Sequence, residues 1–172
     1  MKQTNSPYLL LIAGLPGVGK STVARAFVQR YGGVSANTDL LRKTMNLSGH
    51  YKLQDKEQVY QALAEKVREA LQNGQPVVVD STFIHRRTRA SFEALARECG
   101  VPFYWVEIHA AEPCIRERLK TPRSDSEADF SVFLKLRAQN EPIEVPHLEL
   151  WSDKMLLEDM VQSINHYMHT PQ

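Results

Sequence analysis

Short apolar runs alternate along this chain with longer stretches in which apolar residues recur at helical spacing. The runs at 8–13, 33–36, 76–79, 103–108 and 147–151 predict five strands. Between and after them the spacing predicts helices over 20–31, 39–45, 55–72, 87–99, 112–119, 127–139 and 153–167. Asn73-Gly74 and Gly100 supply the glycine chemistry that ends two of these helices. Strands alternating with helices predict an α/β fold, a five-stranded mostly parallel sheet with helices on both faces, whose ligands bind beyond the carboxyl ends of the strands. Two segments lack the pattern. Residues 46–54 are polar and contain glycine, and residues 121–128 mix Pro, Arg, Ser and acids, the composition of a mobile lid.

The string Gly14-Leu15-Pro16-Gly17-Val18-Gly19-Lys20-Ser21 fits G-x-x-x-x-G-K-[ST] at every fixed position and lies between the first strand and the first helix. That context makes it a phosphate-binding loop, Walker A in type. The glycines let successive N–H groups converge on the β- and γ-phosphates of a nucleotide. Lys20 adds a cation, Ser21 is the expected Mg²⁺ ligand, and Thr22 continues the cradle.

With 172 residues, 42% of them hydrophobic, the chain has room for one substantial core, and 1–172 reads as a single domain. Its formal charge of +1, with acids and bases interspersed, excludes a broad nucleic-acid-binding stripe but not a local basic pocket. No apolar run is long enough for a membrane span, and residues 1–7 lack the apolar core of a signal peptide, so a cytoplasmic protein without a membrane partner or an obligate protein partner is expected. Cys99 and Cys114 form no disulfide framework, and the six histidines, scattered without metal-ligand spacing, read as surface or packing residues.

Residues just after the strands carry the remaining chemistry. Asp39 and Arg42, three apart after the second strand, share one face of a starting helix. Asp39 or Thr38 can cap that helix. Beside a phosphate loop, Asp39 can instead take the proton of an attacking hydroxyl, while Arg42 holds an anionic group of the acceptor. The run Val77-Val78-Val79-Asp80-Ser81-Thr82 has Walker B form, with Asp80 a second Mg²⁺ ligand and Ser81 and Thr82 near the phosphates or the acceptor. Arg86, Arg87 and Arg89 read as a solvated basic face. Arg118 and Arg123 are candidate lid arginines that spread charge on a transferring phosphoryl group.

GLPGVGKS, NTDLLR, VVVDST, RERLKTPR and SEADFSVFLKLRAQNEPI together resemble the P-loop kinases of the polynucleotide-kinase and zeta-toxin type, an AAA-type ATP-binding kinase domain, over nearly the whole chain. The resemblance implies ATP and Mg²⁺ as cofactors, Asp39 as general base, Arg42 as anchor of an acceptor phosphate, Asp80 with Ser81 at the third strand, and Arg123 or Arg118 as the lid arginine. It implies transfer of the γ-phosphoryl group to a hydroxyl of a small molecule or a nucleic-acid 5′ end. A toxin-like kinase of a nucleotide sugar shares the same core. The rival from another class is a nucleotide-hydrolysing switch, but neither Asp-x-x-Gly after the third strand nor Asn-Lys-x-Asp occurs. Acceptor recognition in the family varies where this chain has His50 and Tyr51.

Overall fold

The computed structural model describes residues 6–47, 52–121 and 128–170. Five strands alternate with seven helices among them, in the order β1 (Leu9–Ala13), α1 (Lys20–Tyr31), β2 (Val34–Asn37), α2 (Thr38–Thr44), α3 (Leu53–Gln72), β3 (Val77–Asp80), α4 (Arg86–Glu98), β4 (Phe103–His109), α5 (Glu112–Arg118), α6 (Phe130–Gln139), β5 (Leu148–Trp151) and α7 (Leu157–His169). The strands form one sheet ordered β2-β3-β1-β4-β5, and every neighbouring pair is parallel. Most of the expected lid, residues 122–127 with Arg123, lies outside the described residues, as do His50 and Tyr51.

Side-chain alternation along the central strands divides the interior into two cores. Leu9, Leu11, Val77, Val79 and Trp105 face Val59, Leu63 and Val67 of α3 and Phe92 and Leu95 of α4. Leu10, Ile12, Val78, Val106 and Ile108 face Val23 and Phe27 of α1 and Met160, Val161 and Ile164 of α7. β1 is buried along its whole length because it lies mid-sheet with helices over both faces, which explains its continuous apolar run. The chain switches direction at β1: β2 and β3 lie on one side of it, β4 and β5 on the other. A crevice at a topological switch point is where such sheets bind ligands, and the glycine-rich loop begins there.

Two helices start later than their periodicity suggests. α6 begins at Phe130 because the Asp129 carboxylate accepts from Val132 N at 2.9 Å, which sets the cap there. α7 begins at Leu157, after a turn in which Lys154 N and Met155 N donate to Trp151 O.

The loop after β3 is held by aromatic packing. Phe83 has φ +46°, a left-handed conformation that costs an L-residue energy, and its ring meets Phe92 at 5.3 Å and Trp105 at 5.0 Å, both edge-on. The Arg89 guanidinium donates to Phe83 O (2.7 Å) and Pro142 O (2.8 Å), and burial pushes its pKa down. Arg89 is therefore a buried brace, not part of a solvated face. The exposed Arg86 pairs with Glu144 at 2.6 Å, and Arg87 is exposed.

Phe83→Ala removes the ring that offsets this backbone strain. It should lower unfolding free energy by about 3–5 kcal/mol in denaturant titrations with an unchanged m-value. A loss under about 1 kcal/mol would show that the ring does not hold the loop.

Candidate active site

The loop from Gly14 to Ser21 joins β1 to α1, and its glycines take shapes that other residues resist. Gly14, Gly17 and Gly19 have φ of +146°, +82° and +100°. A Cβ on Gly14 would fall 2.5 Å from Ile108 O, so the loop's first residue must be glycine for β1 to leave the sheet alongside β4. Helix α1 starts after Gly19 with no side-chain cap and no acidic residue in its first turn, leaving its leading amides to meet an anion. Lys20 Nζ curls back to Leu15 O at 3.1 Å. Leu15, Pro16 and Val18 frame the loop, and Thr22 is exposed beyond it.

Asp80, 2% exposed, ends β3 directly beside Ile12 and Asn37 in the register of the neighbouring strands. One of its oxygens accepts from both Ser21 Oγ and Asn37 Nδ2, each at 2.6 Å. Parallel pairing thus brings the loop's last hydroxyl, the second strand's last amide and the third strand's carboxylate to one point. Ser21 and Asp80 offer the hard oxygen donors that suit Mg²⁺, which takes one or two protein ligands and completes its shell with water and phosphate. Asn37 also caps α2, its Oδ1 accepting from Leu40 N at 2.9 Å. The cap is therefore neither Asp39 nor Thr38.

A cavity of about 240 Å³ opens from this point. Lys20, Ser21 and Asp80 line one side; Asp39, Arg42 and Thr82 line another, with Lys56 and Tyr60 of α3 and Lys135 of α6. Buried Ser81 bonds Thr38 Oγ1 at 3.0 Å and Tyr60 OH at 2.8 Å, fixing the floor. Burial pushes the Tyr60 phenol up, against hydrogen bonds from Ser81 and Thr82 that pull it down. Lys56 is pulled below the usual lysine range, first by burial and then by the charges of Lys135 and Arg42. The wall is a concentration of cations in a partly dry cleft, a field that draws an anion.

Among residues expected in the site, the cavity brings together Lys20, Ser21, Asp39, Arg42, Asp80 and Thr82, with Ser81 below them. Arg118 lies elsewhere, against the outer side of the glycine-rich loop. Its guanidinium donates to Gly17 O (3.1 Å) and Ser152 Oγ (2.9 Å), and Ser152 donates to Val18 O at 2.6 Å. A second cavity, about 320 Å³, opens there between Gly17, Gly19, Thr22, Arg118, Ser152 and Met155. Tyr60, Lys56, Lys135 and Ser152 escape sequence reasoning because each sits on a helix or turn with no motif of its own, and only the packing of α3, α6 and β5 turns it toward the site.

A family model described as an AAA domain matches residues 9–143, from β1 through the segment after α6. The chain belongs to that family. It is 28% identical over 107 residues to L-seryl-tRNA(Sec) kinase of Methanococcus maripaludis, covering 59% of this chain and 41% of that protein. The chain spans well under half the length of the curated relatives it matches. Its fold is that of the APS kinase of Mycobacterium tuberculosis in complex with AMPPNP and APS, at TM-score 0.76, 18% identity and coverage of 96% of this chain and 99% of the other. A gluconokinase from Sinorhizobium meliloti 1021 matches at TM-score 0.71, 20% identity and coverage of 97% and 99%. This is a P-loop kinase fold. No helix among the described residues is long and apolar enough to cross a membrane.

The crowded cations give a pH signature. A lysine whose folded pKa lies below its unfolded value weakens the fold while charged, and stability rises with pH from the lowered folded pKa to the ordinary value near 10.5. Lys56→Met should therefore be more stable than wild type at pH 7, by less than about 1 kcal/mol given solvent screening, and the gap should narrow as pH approaches 10. Parallel stability curves for the two proteins across pH 7–10 would show that Lys56 carries no such penalty.

Proposed function

We propose that the protein transfers the γ-phosphoryl group of ATP to a hydroxyl of an anionic acceptor, a small molecule or the 5′ end of a nucleic acid. One observation carries this reading: Lys20 and Ser21 of the phosphate loop share a single cavity with Asp39 and Arg42, so a nucleotide and a second substrate can meet there. The AAA domain match and the kinases among similar proteins support phosphotransfer, and the names of those proteins include small-molecule kinases and a seryl-tRNA kinase.

In this reading the loop amides and Lys20 hold the β- and γ-phosphates. Ser21 and Asp80 would hold Mg²⁺, which when bound neutralises charge between those phosphates. Asp39 accepts the proton of the attacking hydroxyl. Arg42 binds the acceptor's anionic group in a forked contact, with Lys56 and Lys135 adding to the field. The cavity outside the loop, bordered by Thr22, Arg118 and Met155, receives the nucleoside end, and Arg118 steadies the loop through Gly17 O. Arg123, which lies outside the described residues, is assigned the lid role of spreading charge on the transferring group.

Incubation of ATP with pooled acceptors, including 5′-hydroxyl oligonucleotides, nucleosides, sugars, nucleotide sugars and antibiotics, with product mass as readout, tests the reading. A phosphorylated acceptor is expected. ATP consumed with phosphate appearing only in water would favour the hydrolysing switch. With the acceptor in hand, Lys20→Ala should reduce turnover by about a hundredfold or more while the fold survives. Asp39→Asn should reduce single-turnover transfer by about 10²–10⁴ with ATP affinity unchanged, and Arg42→Ala should raise acceptor KM. Unchanged transfer in folded Asp39→Asn would remove Asp39 from the mechanism.

A further inference from the structure

The parallel pairing of β4 with β5 sets Glu107 directly opposite Glu149. Two carboxylates in register on adjacent strands repel one another, and Glu107 is largely buried, so the sheet pays for this pair unless a cation lies between them. No lysine or arginine is ion-paired with either among the described contacts; histidines meet them instead. His109 Nε2 lies 3.5 Å from Glu107 Oε2 and 3.7 Å from Glu149 Oε2. His147 Nε2 lies 3.7 Å from Glu107 Oε2 and 3.3 Å from Glu149 Oε1.

These separations exceed ordinary N–H···O hydrogen bonds of about 2.7–3.2 Å. They run from the edge of a metal tetrahedron, about 3.3–3.4 Å for ligand bonds of about 2.0–2.1 Å, to a few tenths of an ångström beyond it. The ring chemistry points the same way. His147 Nδ1 is 2.8 Å from Val145 O, so it carries the hydrogen, and in the neutral ring the Nε2 lone pair faces the carboxylates. His109 Nε2 is buried and has no hydrogen-bond partner. The Nε2 atoms of both rings thus lie beside the two carboxylates, His109 against Glu149 Oε2 and His147 against Glu149 Oε1. One ligand atom each from Glu107, His109 and Glu149 lies within 4.8 Å of the others. Val145 O orients His147 through a hydrogen bond, and the Trp151 ring stacks on His109 at 5.1 Å.

We propose that Glu107, His109 and Glu149 bind a divalent ion of the Zn²⁺ class at the β4–β5 edge, with His147 alongside Glu149, apart from the oxygen-only Mg²⁺ ligands in the cleft. Mixed imidazole and carboxylate donors select late first-row ions over Mg²⁺ or Ca²⁺. The ion would fasten the edge strand β5 to the sheet. Ser152, which follows β5, donates from its N–H to His109 O and from its hydroxyl to Val18 O, so the site stands directly behind the phosphate loop.

Titration calorimetry with Zn²⁺, and with Co²⁺ as a spectroscopic probe, tests this in buffer holding excess Mg²⁺ to occupy the cleft. One Zn²⁺ per chain in the micromolar range or tighter is expected, with a rise in Tm, a visible Co²⁺ band of tetrahedral intensity, and quenching of Trp151 fluorescence by Co²⁺. His109→Gln and Glu149→Gln should each weaken binding by about a hundredfold, and Glu149, largely exposed, gives a variant that keeps the fold. Substoichiometric binding, an affinity unchanged in both variants, or displacement by Mg²⁺ would overturn the proposal. So would histidine titrations by NMR that protonate the cluster near neutral pH identically with and without Zn²⁺.

Discussion

The Asp80 carboxylate is the fixed point of this protein. It is buried at the tip of β3, and a buried carboxylate is tolerable only when hydrogen-bond donors surround it. Ser21 and Asn37 supply them, each from the end of a different structural element. The requirement therefore locks the start of α1, the end of β2 and the end of β3 into one arrangement. Asn37 extends the lock, since the side chain that donates to Asp80 also caps α2 and so sets where Asp39 and Arg42 stand.

From that point the site builds outward by compromise between stability and chemistry. The glycine-rich loop leaves its amides open, the floor places Ser81 and Tyr60 in a buried hydroxyl network, and the far wall gathers Arg42, Lys56 and Lys135, where burial and the two neighbouring cations disfavour the charge on Lys56. The two hydrophobic cores meet this cost. The central strands are covered on both faces, and the Phe83, Phe92 and Trp105 rings hold the loop that follows Asp80 in a strained turn. Strain and crowded charge at a site supported by well-packed elements are typical of pockets prepared for a ligand.

Much of this was legible in the residues. Continuous apolar runs and period-3.6 patterns placed every described strand and helix to within a few residues, because central parallel strands must be continuously apolar and the helices bury one face. The phosphate loop was legible because its glycines serve a backbone shape that few other sequences satisfy. Contacts made only in three dimensions were not. Arg89 looked like one charge in a basic run, yet it braces Phe83 O and Pro142 O in the interior. Asp39 and Thr38 read as the caps of α2, but the cap is Asn37, which also donates to Asp80, far away in sequence. Glu107, His109 and Glu149 have no metal-ligand spacing along the chain, and only the register of β4 on β5 brings them together.

The dependence of the site on Asp80 is tested most directly by binding of Mn²⁺, a paramagnetic substitute at oxygen sites, in the presence of a non-hydrolysable ATP analogue. Electron paramagnetic resonance of wild type and Asp80→Asn, a variant that keeps the side chain's shape, compares the affinities, with folding checked by circular dichroism. If the carboxylate organises a metal–nucleotide site with Ser21, the variant should bind Mn²⁺–nucleotide at least about tenfold more weakly. Equal affinity in the two folded proteins would contradict the account.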